Sequence, residues 1–304
     1  MNSLEKHILV PLKILFSKKS IYKKYIKDKF DTEIAFLEGP ITRIFSVKNV
    51  NSKKIAWIHN DISSVFGTGI KSKIKRKIDK KIYNRYGELI FVSEQNLKDF
   101  ETTYPNIKAN KRVIYNYINP QNILEKAEEK VELPFSSNMK NFVTVARLVE
   151  QKGIERLIDV HTKLIKDGFN HNFYVIGDGP LKEKLINKIK ENDVENTFFL
   201  LGQKENPYPF VKNADYFCLF SHFEGYGMVI EEAKILNKPI LITDTAAREA
   251  VKGYKKHMIA ENNLDGIYNL IKDILLNEQE EKAEDNVYKN DEIIKQIKNL
   301  LEEK

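Results

Sequence analysis

Two tracts of the chain alternate short apolar runs with longer stretches of helical periodicity. The second tract is the clearer. Asn141–Ala146, Asn172–Gly177, Phe198–Gly202, Tyr216–Ser221 and Pro239–Asp244 are compact runs rich in β-branched and aromatic residues, the pattern of buried strands. Between them, Ile154, Leu157, Ile158, Leu164 and Ile165 repeat at the spacing of one helical face. Further helices are predicted from Leu181, over Tyr208–Asn213, and through Leu264–Leu276. Five strands joined by crossover helices predict a doubly wound α/β sheet, with a ligand crevice at the carboxyl ends of its strands.

The first tract is shorter. Strands are predicted over Glu33–Gly39, Lys54–Asp61, Glu88–Ser93 and Arg112–Asn116, with a strongly basic helix around Lys71–Lys81. Pro120, Pro134 and the Ser136–Ser137 pair place a linker at 119–139, between a smaller domain over 1–118 and a larger one over 140–304. The closing stretch reads as a charged loop and then an amphipathic helix, with Ile293, Ile294, Ile297, Leu300 and Leu301 on one side. That helix is expected to pack back on the first domain.

Composition narrows the class. A chain of 304 residues has room for two cores. Its net charge of +7 favours anionic partners, yet the charge is diffuse and no nucleic-acid motif accompanies it. The single cysteine, Cys218, lies in an apolar run and reads as a core residue in a reducing compartment. Pro11 and Lys13 interrupt the apolar patch near the N-terminus, and no run reaches the ~18 apolar residues of a spanning helix. A cytoplasmic protein, peripheral on the inner face of the membrane, is expected.

Each strand end in the second tract carries residues suited to a phosphate or a sugar. Arg147 offers a planar fork and Lys152 a mobile point charge just before Gly153 opens a helix. Gly177 and Gly179 permit close backbone approach. Gly225 and Gly227 expose amides where a helix begins. On that helix Val229, Ile230, Ala233 and Leu236 share a face, so Glu231 is expected in solvent and Glu232 on the flank, where it can accept hydrogen bonds from a ribose diol. Spacing alone leaves two readings of Glu224: a cap on the helix that favours its dipole, or a ligand for a hydroxyl-rich group or a metal. His59 ends an apolar strand and is either an ordinary strand-end histidine or a site residue; His161, on the apolar helix face, reads as core.

From Ala146 to Val251 the chain closely resembles family four of the retaining glycosyltransferases, which have the GT-B fold of two Rossmann-like domains. The resemblance rests on the glutamates Glu224 and Glu232 with seven residues between them, on Arg147 and Lys152, and on the turn Gly177–Pro180. It implies a hexose-type transfer from a nucleotide diphosphate sugar with retention at the anomeric carbon and without a metal or other cofactor. Arg147, Lys152 and the stretch Gly225, Tyr226, Gly227 and Met228 would hold the diphosphate, and Glu232 the ribose. Gly177, Gly179 and Gly202 would shape the nucleotide pocket, and Glu224 and His59 would face the donor sugar. The acceptor expected is a cell-surface glycan or a lipid-linked precursor. The basic helix is open to two readings, a surface for anionic lipid headgroups or a solvated lysine-rich face. The glycine-rich first strand usual in the family has no counterpart here. The first domain is therefore expected to be incomplete, with an exposed sheet edge and a companion chain supplying the missing strands. The competing expectation is an inactive nucleotide-sugar-binding subunit.

Overall fold

The computed structural model describes residues 10–48, 51–59, 70–277 and 290–303. Asn60 and Asp61 of the predicted second strand, most of the charged loop before the closing helix, and the side chains of Lys71 and Ser72 lie outside what is described. The chain divides into two compact units. One holds the residues up to Tyr117 together with the closing helix, and the other begins at Ile118.

In the first unit, β1 (Thr32–Ala35), β2 (Lys53–Ile58), β3 (Glu88–Phe91) and β4 (Asn110–Val113) form a parallel sheet in the order β1-β2-β3-β4. Ile58, Leu89 and Phe91 on one face pack against Ile82 and Tyr83 of helix Ile70–Tyr83 and Phe100 of helix Glu94–Thr103. The closing helix, Asn290–Glu302, buries Ile293 and Leu300. Lys53 Nζ donates to its last carbonyls, Leu300 O at 2.8 Å and Glu303 O at 2.7 Å, a cation satisfying a helix C-terminus.

The second unit contains β5 (Asn141–Val145), β6 (Asn172–Ile176), β7 (Phe198–Gly202), β8 (Tyr216–Leu219), β9 (Ile240–Thr243) and β10 (His257–Ala260). All pair in parallel, in the order β10-β9-β8-β5-β6-β7. The chain winds outward from β5 to β7, returns to place β8 on the other side of β5, and winds outward again. The point where the direction reverses, between β5 and β8, is where a doubly wound sheet opens a crevice. Cys218 is fully buried in β8, and His161 in the core of helix Ile154–Lys166.

Two sequence expectations are corrected. The sheet has six strands, not five. β10 was missed because it is a four-residue edge strand with Ile259 exposed, so its apolar signal is weak. The segment 119–139 is not a bare linker. Pro120–Ala127 is a helix whose Ile123 and Ala127 are buried in the second unit's core. Pro120 starts this helix rather than breaking it, because proline suits the first helical position, and the Asn119 side chain accepts from Asn122 N–H at 3.3 Å as its cap.

Candidate active site

The loops after β5 and β8 are laced together at the reversal point. Glycine makes this approach feasible: Gly153 sits at φ +64°, and a Cβ there would lie 2.4 Å from Phe220 O. His222 N–H donates to Gln151 O at 2.8 Å, and Gln151 Nε2 donates to Phe223 O at 3.1 Å. Within this junction Lys152 Nζ donates to Glu224 Oε1, and Ser221 Oγ donates to the same oxygen at 3.0 Å. Glu224 is 7% exposed. It makes no capping hydrogen bond to helix Met228–Ile235, whose cap is Gly227 in the left-handed region. Of the two sequence readings, the cap is therefore not the one the structure adopts.

Arg147 follows β5 after Ala146 and is exposed; its carbonyl accepts from Val149 N–H at 2.9 Å, while its side chain has no hydrogen bond or ion pair among the described residues. It leaves a planar cation available beside the junction. Gly177 and Gly179 carry a backbone reason for being glycine. A Cβ on Gly177 would meet Ala146 O at 1.9 Å, and one on Gly179 would meet Leu148 O at 2.5 Å. This loop extends the β5–β6 pairing: Leu148 N–H donates to Asp178 O at 3.0 Å and Leu181 N–H to Leu148 O at 3.1 Å. The two glycines thus hold the Arg147 loop in place. Gly202, at φ +69°, ends β7 with open space where its Cβ would stand.

Helix Met228–Ile235 overturns one expectation. Glu231 is not in solvent. It is buried, with Lys234 Nζ 2.9 Å from Oε2, while Tyr226 OH donates to Oε1 at 2.8 Å. Lys234 also donates to Ala250 O at 2.9 Å. The helical wheel placed Glu231 opposite the apolar face correctly, but segment 246–251 and Tyr226 cover that side as well. The Tyr226 hydroxyl is consequently turned toward Glu231, whereas Gly225, Gly227 and Met228 remain partly accessible. Glu232 is half-buried, and Tyr208 OH lies 3.4 Å from its Oε1. Burial pushes its carboxyl up from the ordinary value, with the Tyr208 hydrogen bond opposing.

Arg156, Gln151 and Thr243 were not expected at this junction. Arg156 carried a faint signal, since it shares a helix stripe with the apolar Val160 four residues on.

His59 belongs to the first unit and follows β2. Its N–H donates to Glu38, its ring packs edge-on to Phe36 at 4.7 Å, and its carbonyl accepts from Asn96 Nδ2 at 3.3 Å. Burial lowers its pKa, with the charge of Glu38 opposing, so the imidazole is neutral at neutral pH. Its Nε2 is buried without a hydrogen-bond partner among the described residues, as is Trp57 Nε1. Among the described residues no group of three or more His, Cys, Asp or Glu suits a metal ion, and no helix is long and apolar enough to cross a membrane.

Comparison with known proteins places the chain in a family. The family model described as glycosyl transferases group 1 matches residues 125–293, more than half of the chain. An uncharacterized glycosyltransferase of Methanocaldococcus jannaschii is 30% identical over 215 residues, covering 69% of this chain and 52% of that protein. The N-acetylgalactosamine-N,N'-diacetylbacillosaminyl-diphospho-undecaprenol 4-alpha-N-acetylgalactosaminyltransferase of Campylobacter jejuni is 27% identical over 284 residues, 88% of this chain and 73% of that protein. A crystal structure of Anabaena HepE in complex with UDP and glucose superposes with a TM-score of 0.69 at 17% identity, covering 90% of this chain and 73% of that one. The chain spans about half the length of the Methanocaldococcus relative.

Proposed function

The chain belongs to the glycosyl transferases group 1 family and has an α/β fold of the GT-B type, and from that premise we propose that it moves a sugar from a nucleotide diphosphate sugar to a lipid-linked or polymeric glycan acceptor. The observation that carries this reading is the reversal point between β5 and β8, where Lys152, on the loop that also carries the exposed Arg147, meets Glu224. A crevice at that position suits a nucleotide, and two cations on one of its loops suit a diphosphate.

In this reading Arg147, Lys152 and the partly accessible backbone of Gly225–Met228 hold the diphosphate. They stabilise the charge it gains as the bond to the anomeric carbon breaks, which is electrostatic stabilisation of a leaving group. Glu232 takes the ribose hydroxyls and Glu224 a hydroxyl of the donor sugar. The acceptor hydroxyl oxygen bonds to the anomeric carbon on the face the diphosphate leaves and passes its proton to the departing diphosphate oxygen, so configuration is retained and no nucleophile of the protein is assigned. His59, whose Nε2 has no hydrogen-bond partner among the described residues, offers a hydrogen bond to a ligand hydroxyl within the first unit. A lipid-linked acceptor is supported by the named activity of the Campylobacter relative, and a uridine donor by the contents of the Anabaena structure.

Calorimetry tests the donor site. UDP or GDP should bind the chain, and Arg147→Ala and Lys152→Ala should each weaken it by roughly 1.5–3 kcal/mol, the range for hydrogen bonds to charged groups. Unchanged affinity in both variants would remove the diphosphate assignment.

A further inference from the structure

Arg156 is an arginine with almost no exposure and no carboxylate partner among the described residues. Its guanidinium spends its hydrogen bonds on two consecutive carbonyls just beyond β8. Nε and Nη2 donate to Phe220 O at 3.2 and 2.7 Å, and Nη2 donates to Ser221 O at 2.8 Å. The space it occupies exists because residue 153 lacks a side chain: a Cβ on Gly153 would stand 2.8 Å from Arg156 Nε. Thr243 Oγ1, at the end of β9, donates to the same Ser221 carbonyl at 2.7 Å. Ser221 is fully buried, and its hydroxyl holds Glu224 Oε1. A continuous line of contacts therefore runs from the Arg156 fork through Ser221 to the Glu224 carboxylate.

Burying a cation without a carboxylate is costly, and a methionine or leucine would fill the same helix position with less desolvation. Burial lowers the guanidinium's pKa to about 10, yet leaves it charged at neutral pH. Fixing the direction of two carbonyls in succession takes a rigid donor with several N–H groups, and arginine is the side chain with that geometry.

We infer that Arg156 is a positioning residue of the donor site: its fork, with Thr243, fixes the Phe220–Ser221 carbonyls and thereby aims Ser221 and Glu224 at the donor sugar. The inference rests on the donor-site reading above. It assigns Arg156 no contact with substrate. Its consequence is selective. Arg147 and the backbone at Gly225–Met228 still meet the diphosphate when the fork is lost, whereas the carboxylate that meets the sugar is displaced.

The test measures two affinities by calorimetry, for UDP and for UDP-N-acetylglucosamine (or GDP and GDP-mannose if the guanine pair is the one bound), together with thermal stability. In Arg156→Lys, which keeps the charge and loses the fork, affinity for the free diphosphate should hold within about threefold. The additional affinity contributed by the sugar should fall by about tenfold or more, the scale of a lost hydrogen bond to a charged group. Thr243→Val should act in the same direction with a smaller loss, and it carries the test if Arg156→Lys does not fold. A variant that melts lower but keeps the full sugar increment would overturn the inference and leave Arg156 a structural residue. Failure of the unaltered chain to bind either diphosphate would instead overturn the donor-site reading, and this inference with it.

Discussion

Each unit of the molecule buries a lysine–glutamate pair, and the two pairs are built for different ends. In the first unit Lys54 Nζ lies 2.9 Å from Glu33 Oε2, both side chains nearly inaccessible. Tyr22 OH and Ser52 Oγ donate to Glu33 Oε1 at 2.6 and 2.7 Å, and Lys54 donates also to Phe45 O at 2.8 Å. Several donors and acceptors thus secure this pair between neighbouring strands of a sheet that runs β1 to β4 without reversing. In the second unit Lys152 and Glu224 meet at a reversal of winding, on loops rather than strands, with Ser221 as the further partner. A pair closed on every side can only hold structure. A pair at the mouth of a crevice can exchange one partner for a ligand. The charges are the same and both carboxylates are buried, but Lys152 is the more exposed of the two lysines, and the winding of the sheet separates the pairs.

The comparison can be broken first at its strongest joint. Glu33→Gln in the first unit and Glu231→Gln in the second each strand a buried lysine, and each should cost roughly 3–5 kcal/mol in chemical denaturation, the cost of breaking a buried pair from one side. Near-wild-type stability for Glu231→Gln would return that residue to the solvent face that the helical wheel assigned it.

The second unit alone, among the described residues, carries a buried histidine relay. His171 Nδ1 donates to Phe169 O at 2.9 Å, so its Nε2 accepts from His161 Nδ1 at 2.9 Å, and His161 Nε2 accepts from Thr197 Oγ1 at 2.9 Å. Both rings are neutral: burial lowers His171 to about 4 and His161 further, the neighbouring ring adding to the effect on His161. Because the folded values lie below the unfolded value near 6.5, the stabilisation is complete above pH 6.5 and is lost as pH falls toward 4. Unfolding free energy should drop by about 1.4 kcal/mol per pH unit for each histidine in that window. Urea titrations at pH 7, 6 and 5 that give one midpoint would contradict the relay.

A smaller effect sharpens the contrast between the closed and the exchangeable pair. Glu224→Gln releases Lys152 from its carboxylate, so free UDP or GDP should bind more tightly, by roughly 1 kcal/mol, a fraction of the Coulomb energy of a half-screened pair. UDP-sugar should gain less, because the hydroxyl partner is weakened at the same time. Weaker binding of the free diphosphate would mean that Lys152 never leaves Glu224. The smallest effect is expected from a chelator: if Arg147, Lys152 and the backbone amides carry the diphosphate charge, donor affinity in EDTA should equal that in magnesium.

Much of this was legible before any coordinates. The helices over Tyr208–Asn213 and Leu264–Leu276 follow their apolar spacing to the residue, and five of the six strands of the second unit stand where β-branched runs predicted them. Arg147 and Lys152 stand out as phosphate-suited cations after a strand and Glu232 by its place on a helix flank, whereas spacing alone leaves Glu224 open and only the family resemblance gives it a role. What failed was local evidence of a weaker kind. Pro120 reads locally as a break although proline also opens helices, and β10 is too short and too exposed at Ile259 for its pattern to show.

By itself the sequence determined the kind of sheet, the residues available at its carboxyl edge, and the glycines without which Gly153 and Gly177 could not admit the backbone beside them. Periodicity carries that information because each element is phased against its own axis. Only the tertiary structure decided which residues meet. Lys152 and Glu224 stand 72 positions apart and touch because β8 returns to the flank of β5. Arg156 finds its carbonyls across the same seam, and Glu231 is buried because other segments cover the face its helix turns from the core. A helix can state which side is apolar, but what the rest of the chain lays against its other side depends on long-range packing that no local pattern records.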